Sequence, residues 1–184
     1  MAPTMEGKGV GLEGKGVGLE SVERELQLVA FRLAKETYGI DIAAINEIIR
    51  PQEVTHVPRS TEDLEGIINL RGKIVPIVNL RRRLGLPETE GEGVGSEEVQ
   101  KQRSALASSR RVIVVNYDGS LVGLEVDSVV GVLRLSETLI EKPAEMVESV
   151  DSEFVLGVGK HQNELIILLN VEAVLKPSDA AERA

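Results

Sequence analysis

The sequence predicts a mainly β protein, built from two small and similar β-barrels that pack side by side. Short segments rich in Val and Ile alternate with glycine-containing turns, a pattern typical of barrels and sandwiches and not of βαβ sheets. The two halves of the chain also resemble each other. Hydrophobic residues make up 42% of 184 residues, which is enough for a globular core.

An internal repeat supports the two-barrel prediction. A shift of 84 residues aligns Gly39 with Gly123 and residues 45–50 with 129–134, and a shift of 91 aligns Gly66 with Gly157 and Ile74–Asn79 with Leu165–Asn170. One seven-residue insertion accounts for the change of shift. Such a repeat favours a duplication, although any two β-rich segments also align to some extent.

In the first half, alternating apolar residues predict strands over 26–33, 38–42, 66–70 and 73–78. Ile45, Ile48 and Ile49 have helical spacing and predict a short helix that Pro51 ends. The opposite face of that helix would point to solvent and would carry Ala43, Asn46, Glu47 and Arg50. Glu47 and Arg50 would then form an ion pair three residues apart.

The ends of the remaining elements also follow from residue types. Arg71 and Gly72 predict a tight hairpin turn, and Asn79 predicts the N-cap of a helix over 80–84 that Gly85 ends. In the second half, strands are predicted over 112–116, 121–126, 154–160 and 165–169. Asp118–Gly119 is the first hairpin turn there, and Asn170 caps a last helix through Leu175.

Composition predicts where the domain begins and ends. Residues 1–24 contain two copies of the heptad Gly-Lys-Gly-Val-Gly-Leu-Glu, and three glycines per heptad oppose a helix, so we expect a flexible tail. The domain is predicted over 25–176, with a first barrel over about 25–86 plus exchanged strands and a second over about 110–176. Between them, residues 87–109 are predicted to be an exposed linker in which Ser96–Ala107 form a short charged helix. Residues 177–184 are a C-terminal tail.

Charge and residue counts exclude several classes of function. The net charge is −9 and there are four aromatic residues, which argues against nucleic-acid binding. No cysteine and two histidines leave no thiolate or polyhistidine metal site, and no cofactor is expected. No apolar run approaches the roughly 20 residues that span a bilayer. The N-terminus has no signal-peptide pattern, so a cytoplasmic location is expected.

The residues predict no catalytic constellation. His56 and His161 lie in expected turns and have no partner motif. The Gly9, Gly11, Gly14 pattern fits a dinucleotide motif by letter, but neither a strand precedes it nor a helix follows it. Most carboxylates lie in the linker and the tails, where solvated charge is the ordinary explanation.

One long motif resembles a known family. The segment Gly66-Ile-Ile-Asn-Leu-Arg-Gly-Lys-Ile-Val-Pro-Ile-Val-Asn-Leu80 is similar to the signature of CheW, the coupling protein family of bacterial chemotaxis. Tyr38–Ile42 with Ile45–Ile48 resembles the first-barrel segment of the family. Val122–Val129 and the hairpin and helix from Gly157 to Leu175 resemble its second barrel. The duplicated heptads and the long 87–109 segment depart from the family pattern.

The resemblance implies two five-stranded barrels of the Src-homology type and no catalysis. It implies a cytoplasmic adaptor, monomeric when free, that binds the regulatory domain of a CheA-type histidine kinase and the cytoplasmic tip of methyl-accepting chemoreceptors in their membrane clusters. By position in the motifs, it implies that Ile45, Asn46 and Glu47 contact the receptor and that Gly66, Arg71 and Gly72 form the signature loop. It also implies that Ile74 lines a groove and that Gly123 and Val132 in the second barrel take part in coupling.

Two alternatives remain open. The first is a CheW-like regulatory module of another sensory pathway or of a longer protein, such as a kinase or a coupling protein with a receiver domain. The second is a small-ligand-binding or enzymatic barrel, because a fold does not determine a function.

Overall fold

The computed structural model describes residues 24–87, 101, 104, 105, 107–143 and 150–177. The expected N-terminal tail, most of the linker and the end of the C-terminal tail lie outside the described residues. Within the linker, Lys101, Ser104, Ala105 and residues 107–109 have helical backbone. The strands are β1 Glu25–Leu33, β2 Glu36–Asp41, β3 Ile45–Ile49, β4 Leu64–Leu70, β5 Lys73–Asn79, β6 Arg111–Tyr117, β7 Ser120–Val126, β8 Ser128–Ser136, β9 Ile140–Glu141, β10 Val155–His161 and β11 Glu164–Leu169.

The strands described here form two sheets of matching topology, which confirms the predicted mainly β fold. One sheet has the order β3-β6-β7-β5-β4, and the other has the order β8-β1-β2-β11-β10 with the short β9 at its edge. In each sheet an N-terminal hairpin of one half joins three strands of the other half. The central contact is parallel in both, β5 with β7 and β11 with β2. The two halves therefore exchange their first hairpins.

The sequence repeat follows this topology. The shift of 84 superimposes β1 to β3 on β6 to β8, and the shift of 91 superimposes β4 and β5 on β10 and β11. The repeat also extends to the short helices, α1 (Leu80–Arg83) and α2 (Val171–Leu175). In each case an asparagine side chain accepts a backbone hydrogen bond at the helix start, Asn79 from Arg82 and Asn170 from Ala173, as predicted.

A crossing segment closes each sheet, and a glycine makes room for it. After β3 the chain reaches the outer edge of β4, where Thr55 and Ile67 exchange two backbone hydrogen bonds of 2.8 and 2.9 Å. A Cβ on Gly66 would lie 2.3 Å from the Thr55 carbonyl oxygen. In the other sheet β9 pairs with β10, and a Cβ on Gly157 would lie 2.8 Å from the Glu141 oxygen. The two aligned glycines thus have the same structural role.

The main hydrophobic core lies between the sheets and takes side chains from both. Among the described residues it includes Phe31 and Tyr38 from one sheet and Ile113 and Leu124 from the other, all fully buried. The rings of Phe31 and Tyr38 stack with centroids 6.1 Å apart. A smaller buried cluster lies within each sheet, one including Val75 and Val114 and the other including Leu28 and Leu168. Each cluster takes side chains from both halves of the chain, so neither half packs by itself.

The predicted helix at residues 45–50 is wrong, because this segment is strand β3. It pairs antiparallel with β6, and a register shift between Ile45 and Glu47 leaves Asn46 unpaired as a bulge. The apparent helical stripe mixes two faces: Ile45 and Ile49 pack against core clusters, whereas Ile48 is 40% exposed. Five residues rich in β-branched side chains favour a paired strand over a helix that would barely nucleate.

The same misinterpretation affects the second half. No strand was predicted between Val126 and Phe154, where the structure has β8 and β9. The bulge recurs at Val130, one repeat after Asn46, because β1 pairs with β8 through a register shift there. A bulge breaks the two-residue alternation that identifies a strand. The bulges at Asn46 and Val130 therefore explain why β3 and β8 are not predicted as strands.

We expect Gly66→Ala to lower the free energy of unfolding by about 3 kcal/mol or more, in the tail of single-mutant effects that backbone strain produces. Gly66 has φ +146° and its missing Cβ leaves space for backbone atoms, which cannot move aside as a flexible side chain would. Urea unfolding measures the change. Gly72→Ala is the control, because φ there is +83° but the space is open, so a loss of about 1–2 kcal/mol is expected. Equal losses would contradict the crossing-segment explanation.

A partly buried carboxylate lies at one end of the five-stranded sheet. Burial raises the pKa of Glu125, and the negative charges of Glu65 and Asp127 raise it further. The guanidinium of Arg110, which lies 3.0 Å from the carboxylate, lowers the same pKa and partly offsets the increase. A carboxyl group whose folded-state pKa is raised contributes stability at low pH and loses that contribution as the pH rises through its folded pKa.

Accordingly, the stability of Glu125→Gln relative to the parent protein should increase as the pH rises above the ordinary pKa of a glutamate, about 4.3, and through the raised pKa of Glu125. The amide cannot ionise, so the variant does not bear the cost of a buried charge at neutral pH. Urea unfolding at each pH measures this difference. A relative stability that falls as the pH rises would show that the Arg110 pair outweighs burial.

Candidate protein-binding surface

An ion pair joins strand β3 to the hairpin formed by β4 and β5. The Arg71 guanidinium lies 3.1 Å from a Glu47 carboxylate oxygen, although 24 residues separate them. This contact replaces the predicted pair of Glu47 with Arg50, which is wrong because Glu47 is on a strand. The pair brings together two residues that were predicted as site residues from different motifs. The carboxylate side chain is 22% exposed and the arginine side chain is 79% exposed.

The hairpin turn presents Arg71 by its backbone geometry. Arg71 and Gly72 both have positive φ, +51° and +83°, as in the tight two-residue turns that match the twist of β-strands. The Asn69 side chain accepts a hydrogen bond of 2.8 Å from the Gly72 backbone N–H and fixes the turn. The turn therefore needs Gly72 and Asn69, but the fold makes no demand on the arginine side chain.

Apolar side chains are exposed beside these charges. Ile74 follows the turn and is 72% exposed, the highest value among the exposed large hydrophobic residues described. On β3, the bulged Asn46 is exposed, and so is Ile48, although its side chain points to the opposite face of the strand from that of Glu47. We call Glu47, Arg71, Gly72 and Ile74 the hairpin surface, with Asn46 at its β3 side. Exposed apolar residues beside charges are typical of protein-binding surfaces.

The other predicted site residues lie elsewhere and pack within the fold. Ile45 is half-buried against the main core. Gly66 accommodates the crossing segment. Gly123 lies in β7, where a Cβ would come within 2.7 Å of side chains of Ile77 and Val112. Substitution of these residues would therefore disturb packing before it disturbed any contact with a partner.

Val132 belongs to a second surface on the six-stranded sheet. It is 58% exposed on β8 and occupies the repeat position of Ile48. Leu165 on β11, the repeat position of Ile74, is 64% exposed. Leu165 is not among the predicted site residues, although the 91-residue shift from Ile74 is a signal that identifies it. Gly131 and Gln162 stand where the hairpin surface has Glu47 and Arg71.

The described residues offer no other chemistry at this surface. Within those ranges, no group of three His, Asp or Glu side chains is arranged to hold a metal ion. Over the same part of the chain, no helix is long and apolar enough to cross a membrane. His56 Nδ1 lies 2.7 Å from the Glu65 carbonyl oxygen, which accounts for that histidine by a local backbone contact. What the surface presents is a charged pair and exposed apolar side chains.

Comparison with known proteins agrees with this structure. Residues 27–178 match the family model of the CheW-like domain. The chain is 28% identical over 162 residues to the chemotaxis protein CheW of Treponema pallidum, covering 88% of this chain and 89% of that protein. It is 31% identical over 155 residues to the chemotaxis protein CheW of Klebsiella aerogenes, covering 84% of each.

A solved structure has the same fold. The crystal structure of the scaffolding protein TtCheW from Thermoanaerobacter tengcongensis aligns with a TM-score of 0.70 and 32% identity, covering 84% of this chain and 95% of that one. The family match extends over most of the chain, and it includes both sheets and the hairpin surface. The chain therefore belongs to the CheW family.

Proposed function

We propose that this protein is a non-catalytic adaptor of bacterial chemotaxis or a related two-component pathway, which couples transmembrane chemoreceptors to a CheA-type histidine kinase by binding both. Membership of the CheW family supports the proposal, and so does the similarity to TtCheW, which is a scaffolding protein. In this role the protein works in the cytoplasm, is a monomer when free and joins receptor clusters at the membrane.

The observation that carries the proposal is the exposed Glu47–Arg71 pair. Arg71 has 79% of its side chain exposed, so solvent screening leaves the pair worth at most about 1 kcal/mol to the fold. The pair nevertheless holds two opposite charges at a fixed place beside Ile74. Fixed charges at the rim of an apolar patch govern partner choice and association rate more than stability.

The predicted site residues divide into two roles under this proposal. Glu47 and Asn46 contact the receptor tip, and Arg71, Gly72 and Ile74 form the loop that meets the partners. Val132 contributes from the second surface. Ile45, Gly66 and Gly123 act indirectly, because they pack inside the fold and hold the contacting residues in place.

Arg71→Ala is expected to change the free energy of unfolding by less than about 0.5 kcal/mol, as surface substitutions usually do. A double-mutant cycle with Glu47→Ala should give a coupling of about 0.2–1 kcal/mol, since the pair is exposed. Thermal and urea unfolding measure both values. The same variant should weaken binding to the kinase regulatory domain or a receptor cytoplasmic fragment in titration calorimetry. A large loss of stability with normal binding would make Arg71 a structural residue.

The Glu47→Lys variant should fold normally, retain binding to the kinase regulatory domain and lose binding to a receptor cytoplasmic fragment. The substitution puts a positive charge beside Arg71, and like charges at a rim can cost several kcal/mol in association. Two calorimetric titrations, one for each partner, measure the outcome. Equal weakening of both would indicate a folding defect or a misassigned surface, and no change in either would leave Glu47 as a solvated charge.

A charge swap separates a direct contact from an indirect one. The double variant Glu47→Arg with Arg71→Glu restores an ion pair inside the protein but reverses both charges towards a partner. If either charge contacts the receptor, the swap does not recover receptor binding. Full recovery would show that only the internal ion pair matters and that neither charge contacts the receptor. Arg32→Ala is the matched control, since Arg32 makes a similarly exposed pair with Glu164 at 3.5 Å on the other sheet.

A further inference from the structure

The one-turn helix α1 carries three consecutive arginines with different partners. Arg81 binds Asp127, with its Nε 2.8 and 3.0 Å from the two carboxylate oxygens. Arg82 binds Glu65 at 3.2 Å, and Arg83 binds Asp63 at 3.2 Å. Three cations in so short a helix repel one another, so each position needs a compensating charge. Where these partners lie in the fold distinguishes the three.

The Arg81 arm connects α1 to the six-stranded sheet. Asp127 lies between β7 of one sheet and β8 of the other, and its carboxylate also accepts a hydrogen bond of 2.8 Å from the Ala34 N–H, in the turn between β1 and β2. The Asp127 backbone N–H donates to the Arg32 oxygen at 3.1 Å. The Arg81 and Asp127 side chains are only 14% and 19% exposed. The guanidinium is thus bound to a carboxylate that is itself attached to the opposite sheet.

The Arg83 arm reaches the short helices that flank β10 and β11 of the same sheet. Its Nε donates to the Val174 carbonyl oxygen at 2.7 Å, and another guanidinium nitrogen donates to the Lys176 oxygen. Its guanidinium lies over the Phe154 ring, 5.6 Å from the centroid. These partners belong to α2, to the residue that follows it and to the short helix before β10. The Arg83 side chain is 9% exposed, so its charge is largely desolvated. Its hydrogen bonds are charge-assisted and therefore depend on the orientation of the guanidinium.

Arg82 differs from its two neighbours. Its described partners are Glu65 and, at 3.4 Å, the Glu62 carbonyl oxygen, both in the same half of the chain as α1. Its side chain is 38% exposed. Like its neighbours, Arg82 is an arginine of α1 that forms an ion pair. Its contacts with Glu65 and Glu62, however, do not reach the six-stranded sheet. Arg82→Lys therefore controls for replacing an ion-paired arginine on this helix.

The core between the sheets supplies apolar burial, whose driving force is non-directional and roughly proportional to the area removed from water. Buried charged hydrogen bonds are directional, and in some proteins they select one arrangement among several. We propose that Arg81 and Arg83 form a clasp, two arms from α1, that fixes the orientation of the six-stranded sheet relative to the five-stranded sheet. This inference depends on the fold and not on the proposed partners.

Paired spin labels test the clasp directly. The chain contains no cysteine, so Ser120→Cys on β7 and Lys160→Cys on β10 place one label on each sheet at exposed positions. Double electron–electron resonance then measures the distance distribution between the sheets. In this background we compare Arg81→Lys, Arg83→Lys, both together, and Arg82→Lys. Lysine keeps the charge, so no buried carboxylate loses its counter-charge, but it lacks the forked donors. Circular dichroism confirms folding.

We expect the double variant to broaden or shift the distance distribution, each single clasp variant to do so in part, and Arg82→Lys to match the parent. An unchanged distribution in the folded double variant would overturn the clasp, because the apolar core alone would then set the orientation. An equal effect of Arg82→Lys would also overturn it. If the double variant does not fold, the single variants decide: unchanged distributions in both contradict the proposal. Failure of partner binding in the Glu47 experiments would leave this result unaffected.

Discussion

Each sheet depends on the close approach of two backbone segments at a glycine. Gly66 and Gly157 let the chain leaving β3 or β8 pass over the edge of the next strand, where it pairs and closes the sheet. A side chain there would meet backbone atoms, which cannot rotate away. Without the crossing, β4 and β10 would expose unpaired backbone groups at their outer edges, a common route to aggregation. Closure also holds the crossing segments over strands that belong to the hairpin carrying Arg71 and to its repeat.

The exchange of hairpins converts two small sheets into one cooperative unit. A barrel of about 60 residues would bury only about 60% of its unfolded surface and would be marginal alone. Here Phe31 and Tyr38 pack with Ile113 and Leu124, so the core is shared. Because the core is shared between the sheets, the side chains at the hairpin tips are not needed to fill it. The residues at those tips can therefore be chosen for binding, and Arg71 illustrates this because its turn requires only the neighbouring glycine and asparagine.

Local residue chemistry predicted most of the fold. Asparagine caps, glycine turns and alternating strands depend on interactions within a few residues, and the repeat revealed the topology that pairs Gly66 with Gly157. The sequence misled at β3 and β8, since a bulge at Asn46 or Val130 disrupts the strand period and imitates helical spacing. The Glu47–Arg71 pair was also beyond sequence reasoning, because it depends on how β3 and the hairpin come together across 24 residues. The family motif predicted both residues but not their contact.

The repeat gives the two sheets the same scaffold with different surface chemistry. Where the hairpin surface has Glu47 and Arg71, the second sheet has Gly131 and Gln162, whereas the apolar positions Ile74 and Leu165 are retained. Under the proposed role, this difference is useful, since an adaptor must distinguish two partners while using one fold. Similar apolar patches provide burial on both sheets, and differently placed ion pairs, Glu47–Arg71 on one sheet and Arg32–Glu164 on the other, supply an electrostatic difference between partners. Duplication followed by a change of a few residues at the hairpin tip and on β3 is sufficient to produce that asymmetry, because an ion pair with an exposed member contributes little to the folding free energy.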